Sequence, residues 1–174
     1  MARVRYTLPA RLLHWLSALS IIAAFLLALS FDGMPLGLAK LKLINYHKWV
    51  GITVLGLVAL RLLWRLRHRP PALPADTPPW QARAAHVTHG LLYVLMIGVP
   101  LGGWLMSSAK GYPVVYLGLL RLPDLVSTNQ ELAAQLRTLH ELGAWVLIAL
   151  ALGHAAAALK HHLIDRDDIL KRML

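Results

Sequence analysis

The sequence predicts an all-α integral membrane protein, a four-helix transmembrane bundle. Three observations carry that prediction. The chain has 174 residues, of which 57% are hydrophobic, a share that a soluble domain of this size accommodates only with difficulty. Its apolar residues gather in four nearly uncharged runs: Leu12 to Ser30, Trp49 to Leu60, Leu91 to Met106 and Leu142 to Leu159. Its Lys and Arg residues, finally, collect in alternate connections between those runs, as they do in membrane proteins.

Each element has its own signals. Span one, residues 9–30, follows Thr7-Leu8-Pro9, a helix start with proline in the first turn. Its length suits a bilayer. It sits where a signal peptide would, but lacks a small-residue cleavage site, and the later spans argue for an integral protein. The turn-rich segment Phe31 to Gly37 follows, and Asn45 is the candidate cap of span two, residues 46–66. The inner linker PPALPADTPP covers residues 70 to 79. Span three, residues 84–106, carries Pro100 among Gly98, Gly102 and Gly103, a place for a bend or a close approach. Residues 107–137 form the longest outer loop, in which Asn129 to Leu136 has the pattern of a short amphipathic helix. Thr138 and Glu141 have the spacing of a capping box for span four, residues 139–162. Asp165 to Asp168 marks the return to water. The whole chain, 1–174, reads as one domain.

The formal charge of +10 invites a nucleic-acid reading, and its placement argues against one. Arg3, Arg5, Arg11, Arg61, Arg65, Arg67, Arg69, Arg83, Lys160, Arg166, Lys171 and Arg172 lie towards one side of the membrane, 12 of the 18 basic residues. Lys40, Lys42, Lys48, Lys110, Arg121 and Arg137 lie towards the other. The positive-inside rule then puts both termini and the middle linker in the cytoplasm. Most of the six tryptophans fall near the expected boundaries, where they anchor the interface.

Cysteine is absent, which excludes disulfides, thiolate metal sites and covalently attached haem. Histidine is abundant: nine residues, most within or beside the spans. A buried imidazole must find a partner, and ionisable groups inside a membrane are usually functional. His14 and His154 lie at similar depths, roughly 10 and 12 Å from the inner end at the helical rise. His47 and His140 are expected in the first turns of helices that enter from the outer side. His140 and His154 are fourteen residues apart on one span, which leaves them about 40° apart in direction and about 21 Å apart along the axis. The outer pair has no competitor. The inner pair does, because His89 reaches a depth like that of His14, with His86 one turn before it.

Zinc normally takes three or four ligands from Cys, His or acids. Facing histidine pairs without acids suit haem iron, which offers two axial positions, and two such pairs suit two noncovalent b haems enclosed by the bundle. Filling both axial positions favours electron transfer. Arg11 and Arg83 on the inner side, and Lys48 and Arg137 on the outer side, are the candidate partners of the haem propionates.

Four stretches carry a resemblance to a known family: LLHWLSAL around His14, NYHKWVG around His47, HVTHGLLYVLMIGVPLGGWLM in span three, and LHELGAWVLIALALGHAAAALKHH in span four. Together they resemble the prokaryotic cytochrome b561 family of small inner-membrane dihaem cytochromes, over almost the whole chain. The resemblance implies that His14 pairs with His154 near the cytoplasm and His47 with His140 near the periplasm. It leaves His86 and His89 as non-ligands. It also implies electron transfer between a periplasmic donor and membrane ubiquinone, with superoxide as the donor in one branch. A quinone-contacting histidine follows the fourth ligand in that branch, and His161 matches it. Histidine changes charge near neutral pH, which suits coupled transfer of protons and electrons. The alternative role is a cytochrome b subunit that serves a separate periplasmic dehydrogenase, hydrogenase or carrier. Either role places the chain in the bacterial inner membrane, in contact with lipid.

Overall fold

A computed structural model of the chain describes residues 5–72 and 77–174. Arg3 and the centre of the proline-rich linker lie outside the described residues. Four long helices dominate: α1 (Leu8–Phe31), α2 (Leu38–Arg67), α3 (Pro79–Ala109) and α4 (Gln130–Leu163). All four are long and apolar enough to cross a membrane. A two-residue β-hairpin, β1 (Val115–Tyr116) with β2 (Leu120–Arg121), lies between α3 and α4, and a 3-10 turn (Leu170–Arg172) follows α4.

The helices begin and end where local chemistry allows. Extended Thr7 precedes α1, and Pro9 sits in its first turn. Two expected starts are corrected. Gly37, not Asn45, precedes α2. Asn129 caps α4, its Oδ1 accepting from the Leu132 N–H at 3.0 Å. The amphipathic stretch Asn129 to Leu136 is therefore the start of α4 and not a separate helix. Thr138 and Glu141 form no capping box: Thr138 Oγ1 donates to the Ala134 carbonyl, and Glu141 accepts from Arg137 within the helix. Leu, Lys, Ala and Gln are good helix formers, so α2 and α4 continue past the apolar boundary into water. His47 and His140 consequently stand well inside their helices, nine and ten residues beyond Leu38 and Gln130, and not in the first turns.

Adjacent helices pack in chain order, α1 on α2, α2 on α3 and α3 on α4, whereas the backbones of α1 and α4 stay apart. Side chains bridge that separation, with Phe25 edge-on to Trp145 at 4.9 Å between ring centroids. The buried core is small: Val54 and Val58 of α2, Met96 of α3 and Leu147 of α4. Leu19, Leu26, Val94 and Leu152 are exposed, as befits side chains that face lipid.

Both ends of the bundle are covered. At the outer end, left-handed Leu117 and Gly118 turn the hairpin. Trp49 Nε1 donates to the Val115 carbonyl at 2.7 Å, and Thr53 Oγ1 lies 3.0 Å from the Tyr116 hydroxyl. At the inner end, the Tyr6 N–H donates to the Arg172 carbonyl and Trp15 Nε1 to the Met173 carbonyl, at 3.1 and 2.8 Å. Arg172 also reaches the Ala72 carbonyl of the linker at 2.6 Å. The C-terminal segment thus ties together both inner connections.

Candidate functional site

The interior holds histidines at two depths. On the outer side, the rings of His47 and His140 face each other with centroids 5.9 Å apart. Each is aimed by a backbone carbonyl on a neighbouring helix. His47 Nδ1 donates to Ala24 of α1 and His140 Nδ1 to Val99 of α3, both at 2.8 Å. A carbonyl only accepts, so both rings carry the proton on Nδ1, and Nε2 keeps its lone pair for a metal.

α3 is shaped to receive His140. Pro100 lacks an N–H, so α3 loses the helical bond to the Met96 carbonyl. Gly103 lies one turn beyond Val99, and a Cβ there would meet His140 Cε1 at 2.9 Å. Glycine lets the imidazole lie against the helix backbone. Gly143 of α4 makes the reciprocal approach, since a Cβ there would meet Val99 Cγ2 at 3.0 Å. Of the glycines read around Pro100, Gly103 serves close approach, while Gly98 and Gly102 have open space where a Cβ would stand.

On the inner side, three rings gather. His14 and His154 have centroids 6.2 Å apart, and His89 lies 5.1 Å from His154. Arg61 of α2 joins them, donating from Nη2 to His14 Nδ1 at 3.3 Å. The Arg61 guanidinium also lies 5.3 Å from the Tyr93 ring centroid, and that of Arg65 5.9 Å from the same ring. His86 is exposed, and its Nδ1 donates back to the Ala82 carbonyl at 2.6 Å.

The expected propionate partners differ in placement. Arg11 is partly buried, and its Nε finds no partner among the described residues. Arg83 is exposed. Lys48 donates to the Tyr112 carbonyl at 3.4 Å. Arg137 is exposed and donates to Glu141 Oε1 at 2.7 Å, a surface pair one turn apart. Lys110, beyond the end of α3, has its pKa pushed below the ordinary lysine value, by burial first and then by Arg137.

His161, near the end of α4, meets the C-terminal segment. Its Nδ1 lies 2.6 Å from Asp167 Oδ2 and 3.2 Å from Asp165 Oδ2. The ligand atoms of these three residues fall within 4.8 Å of one another. Lys160 already occupies Asp165 Oδ2 at 2.7 Å, which makes the group an ion-pair network. The Nδ1 of His162 is buried without a partner among the described residues. His68 is exposed and stacks on Trp64 at 4.0 Å.

Four contributors escaped the sequence reading. Arg61 was expected near the head groups, yet it points at the inner histidines; its signal was a lone charge in an apolar run. Asp167 was read only as part of a return to water. The Ala24 and Val99 carbonyls have no sequence signal, because every residue carries one.

Comparison with known proteins follows the same pattern over nearly the full length. Residues 5–174 match the family described as prokaryotic cytochrome b561. The chain is 34% identical to "Cytochrome b561 homolog 2" of Escherichia coli strain K12, over 98% of this chain and 91% of that protein. It is 32% identical to "Cytochrome b561 homolog 1" of the same strain, over 93% of this chain and 92% of the relative. It is also 30% identical to "Probable superoxide oxidase CybB" of Yersinia pestis, over 93% of this chain and 91% of that protein.

Proposed function

The chain belongs to the prokaryotic cytochrome b561 family, and from that premise we propose that it conducts electrons across the bacterial inner membrane through two b haems, from a periplasmic donor to ubiquinone. Membership itself makes it a membrane electron-transfer protein that binds b haem.

One observation carries the reading of two haems: paired imidazoles at two depths, each with the spacing a shared metal requires. Two imidazoles that shared one metal through bonds of about 2 Å each would have ring centroids roughly 6 Å apart. His47 with His140 at 5.9 Å and His14 with His154 at 6.2 Å meet that condition. His89, at 5.1 Å from His154, is too close to share a metal with it in that way. The outer pair has its lone pairs already disposed for ligation. The unpartnered Arg11 Nε supports a carboxylate partner on the inner side, which a propionate supplies. Arg83, Lys48 and Arg137 remain candidate propionate partners. Their present positions favour Arg11.

Held between paired histidines, a b haem would supply one-electron iron chemistry. The rest is done by the chain. Helices α1 to α4 would hold the centres between them. The outer cations Lys40, Lys42, Lys48 and Lys110 favour an anionic donor, and the similarity to a probable superoxide oxidase makes superoxide the donor to test first. Each superoxide gives up one electron and leaves as dioxygen. Two electrons and two protons convert ubiquinone to ubiquinol. His161 is the proposed quinone contact. Asp167 holds its Nδ1, which leaves Nε2 for the quinone oxygen.

The test is direct. Detergent-purified protein is assayed for haem content and for its reduced-minus-oxidised spectrum, with His140→Ala and His154→Ala made separately. We expect two b haems per chain and loss of mainly one in each variant; a single haem insensitive to both replacements sinks the reading. Superoxide and ubiquinone are then supplied to the purified protein alone. Haem reduction with quinone turnover supports superoxide as donor. Reduction only in the presence of a copurifying partner shows a subunit instead.

A further inference from the structure

The inner end of the bundle holds two half-buried guanidiniums at one level. Trp64 Nε1 donates to Thr7 Oγ1 at 2.8 Å, which sets the end of α2 against the start of α1. The two helices run in opposite directions. Arg61, one turn before Trp64, and Arg11, one turn after Thr7, therefore stand at the same depth, beside His14 and on its inner side. Both are partly buried, whereas Arg83, the other inner cation expected from the sequence to meet a propionate, is exposed.

Neither guanidinium has an acid. Among the described residues the ion pairs lie elsewhere, as in Arg137–Glu141 and Lys160–Asp165. Arg11 Nε is buried with no partner at all. Arg61 keeps neutral company, the His14 ring at 3.3 Å and the Tyr93 ring at 5.3 Å from its centroid. A charge withdrawn from water calls for a counter-charge.

The His14 contact is one that ligation gives up. A guanidinium only donates, so the contact needs the lone pair of His14 Nδ1. A metal on Nε2 requires the proton on Nδ1, and a metal on Nδ1 takes that lone pair itself. Either way His14 as an iron ligand releases Arg61, which then needs another acceptor. Carboxylate suits it, because two oxygens match two N–H groups of the fork. A b haem carries two carboxylates on one edge of the ring, and the inner level offers two guanidiniums.

We propose that Arg11 and Arg61 together form the inner carboxylate site, holding the two propionates of the inner haem, and that Arg61 passes from His14 to a propionate as the haem enters. With iron on Nε2, His14 changes tautomer with no net gain or loss of a proton. The proposal rests on the two-haem reading above and adds to it the second propionate partner and the exchange that frees the ligand. The phosphate of a lipid headgroup offers the same oxyanion chemistry, and the test separates the two sources.

The experiment offers haem b, or its dimethyl ester, to the full chain made in haem-deficient cells and purified in detergent. The ester has the same iron and ring but no carboxylate charge. His140→Ala is the common background, which leaves the inner pair to ligate, and binding is read from absorbance. We expect this chain to bind haem b about ten-fold or more tightly than the ester. Arg11→Gln and Arg61→Gln should each remove most of that preference, and Arg61→Lys, which keeps a charge, should retain part of it. No preference before any arginine is changed would overturn the proposal, as would an undiminished preference in either Gln variant. Equal weakening of both porphyrins would also overturn it, since that is what a bound lipid phosphate or a purely structural role produces. Should Arg61→Gln bind neither porphyrin, Arg61→Lys decides: a retained preference supports the site and none overturns it. Failure of the two-haem reading looks different: wild type then takes up fewer than two haems per chain, or the His140→Ala chain takes up none.

Discussion

At the scale of the residue, the outer site depends on a missing side chain. His140 is fixed between the Val99 carbonyl and the backbone at Gly103, where a Cβ would come within 2.9 Å of its ring. Gly103→Ala therefore has to push the imidazole off its carbonyl. We expect the variant to lose most of its outer haem, read as haem per chain falling towards half of the wild-type value. Gly102→Ala, where nothing lies within 4 Å of the new methyl, should keep the wild-type ratio. Equal haem content in the two variants would refute the role given to Gly103. The inner end allows a second prediction. A hydrogen bond to a charged group contributes roughly 1.5–3 kcal/mol, so Asp167→Asn should raise the quinone KM about ten-fold or more while haem content stays constant. Steady-state quinone reduction measures this, and an unchanged KM would remove Asp167 from the quinone site. Much of this was legible in the sequence, because four histidines at matched depths are a pattern that single polar residues are not. Arg61 was misplaced because helical counting gives a charge its depth and does not say which way the side chain turns. Asp167 reaches His161 only through the turn after α4, which no periodicity encodes.

At the scale of the element, hydropathy located the four helices and misjudged where two of them begin. Apolar runs report where lipid starts, whereas helices stop where a cap or a turn stops them. Gly37 and Asn129 lie eight and nine residues outside the apolar starts that Asn45 and Thr138 had suggested. The outer hairpin was not foreseen at all, since its strands are two residues each and too short to alternate. It nevertheless closes the outer end of α2. Its turn requires Gly118 at φ +73°, with the Trp49 ring 3.9 Å from the site of a Cβ. Forcing a side chain into the left-handed region costs roughly 1–2 kcal/mol. Gly118→Val should accordingly lower the thermal unfolding midpoint of the detergent-solubilised protein by a few degrees, with both haems still bound at room temperature. A wild-type midpoint would show that the hairpin contributes nothing to the stability of the bundle. Trp49→Phe provides an independent check, because it removes the hydrogen bond to Val115 together with the part of the indole ring beside Gly118, and should cost about 1 kcal/mol or more by the same measurement.

At the scale of the whole molecule, the proposed function depends on which side faces the cytoplasm. Four spans put both termini on one side. Basic residues outnumber their counterparts there by 12 to six, from which the positive-inside rule predicts a cytoplasmic side. On that prediction the hairpin between α3 and α4 faces the periplasm, together with the His47–His140 pair below it. The absence of native cysteine makes this testable one position at a time. Leu119 at the hairpin is 88% exposed, and Leu174 at the C-terminus is 51% exposed. A membrane-impermeant thiol reagent applied to intact spheroplasts should label Leu119→Cys, and should label Leu174→Cys only after the membrane is opened. The reverse pattern would carry the argument with it. The carbonyl-held pair would then face the cytoplasm, and His161 and its aspartates would face the periplasm. Orientation is thus the premise on which the donor, the acceptor and the direction of flow all rest, and two single-cysteine variants decide it before any donor is tried.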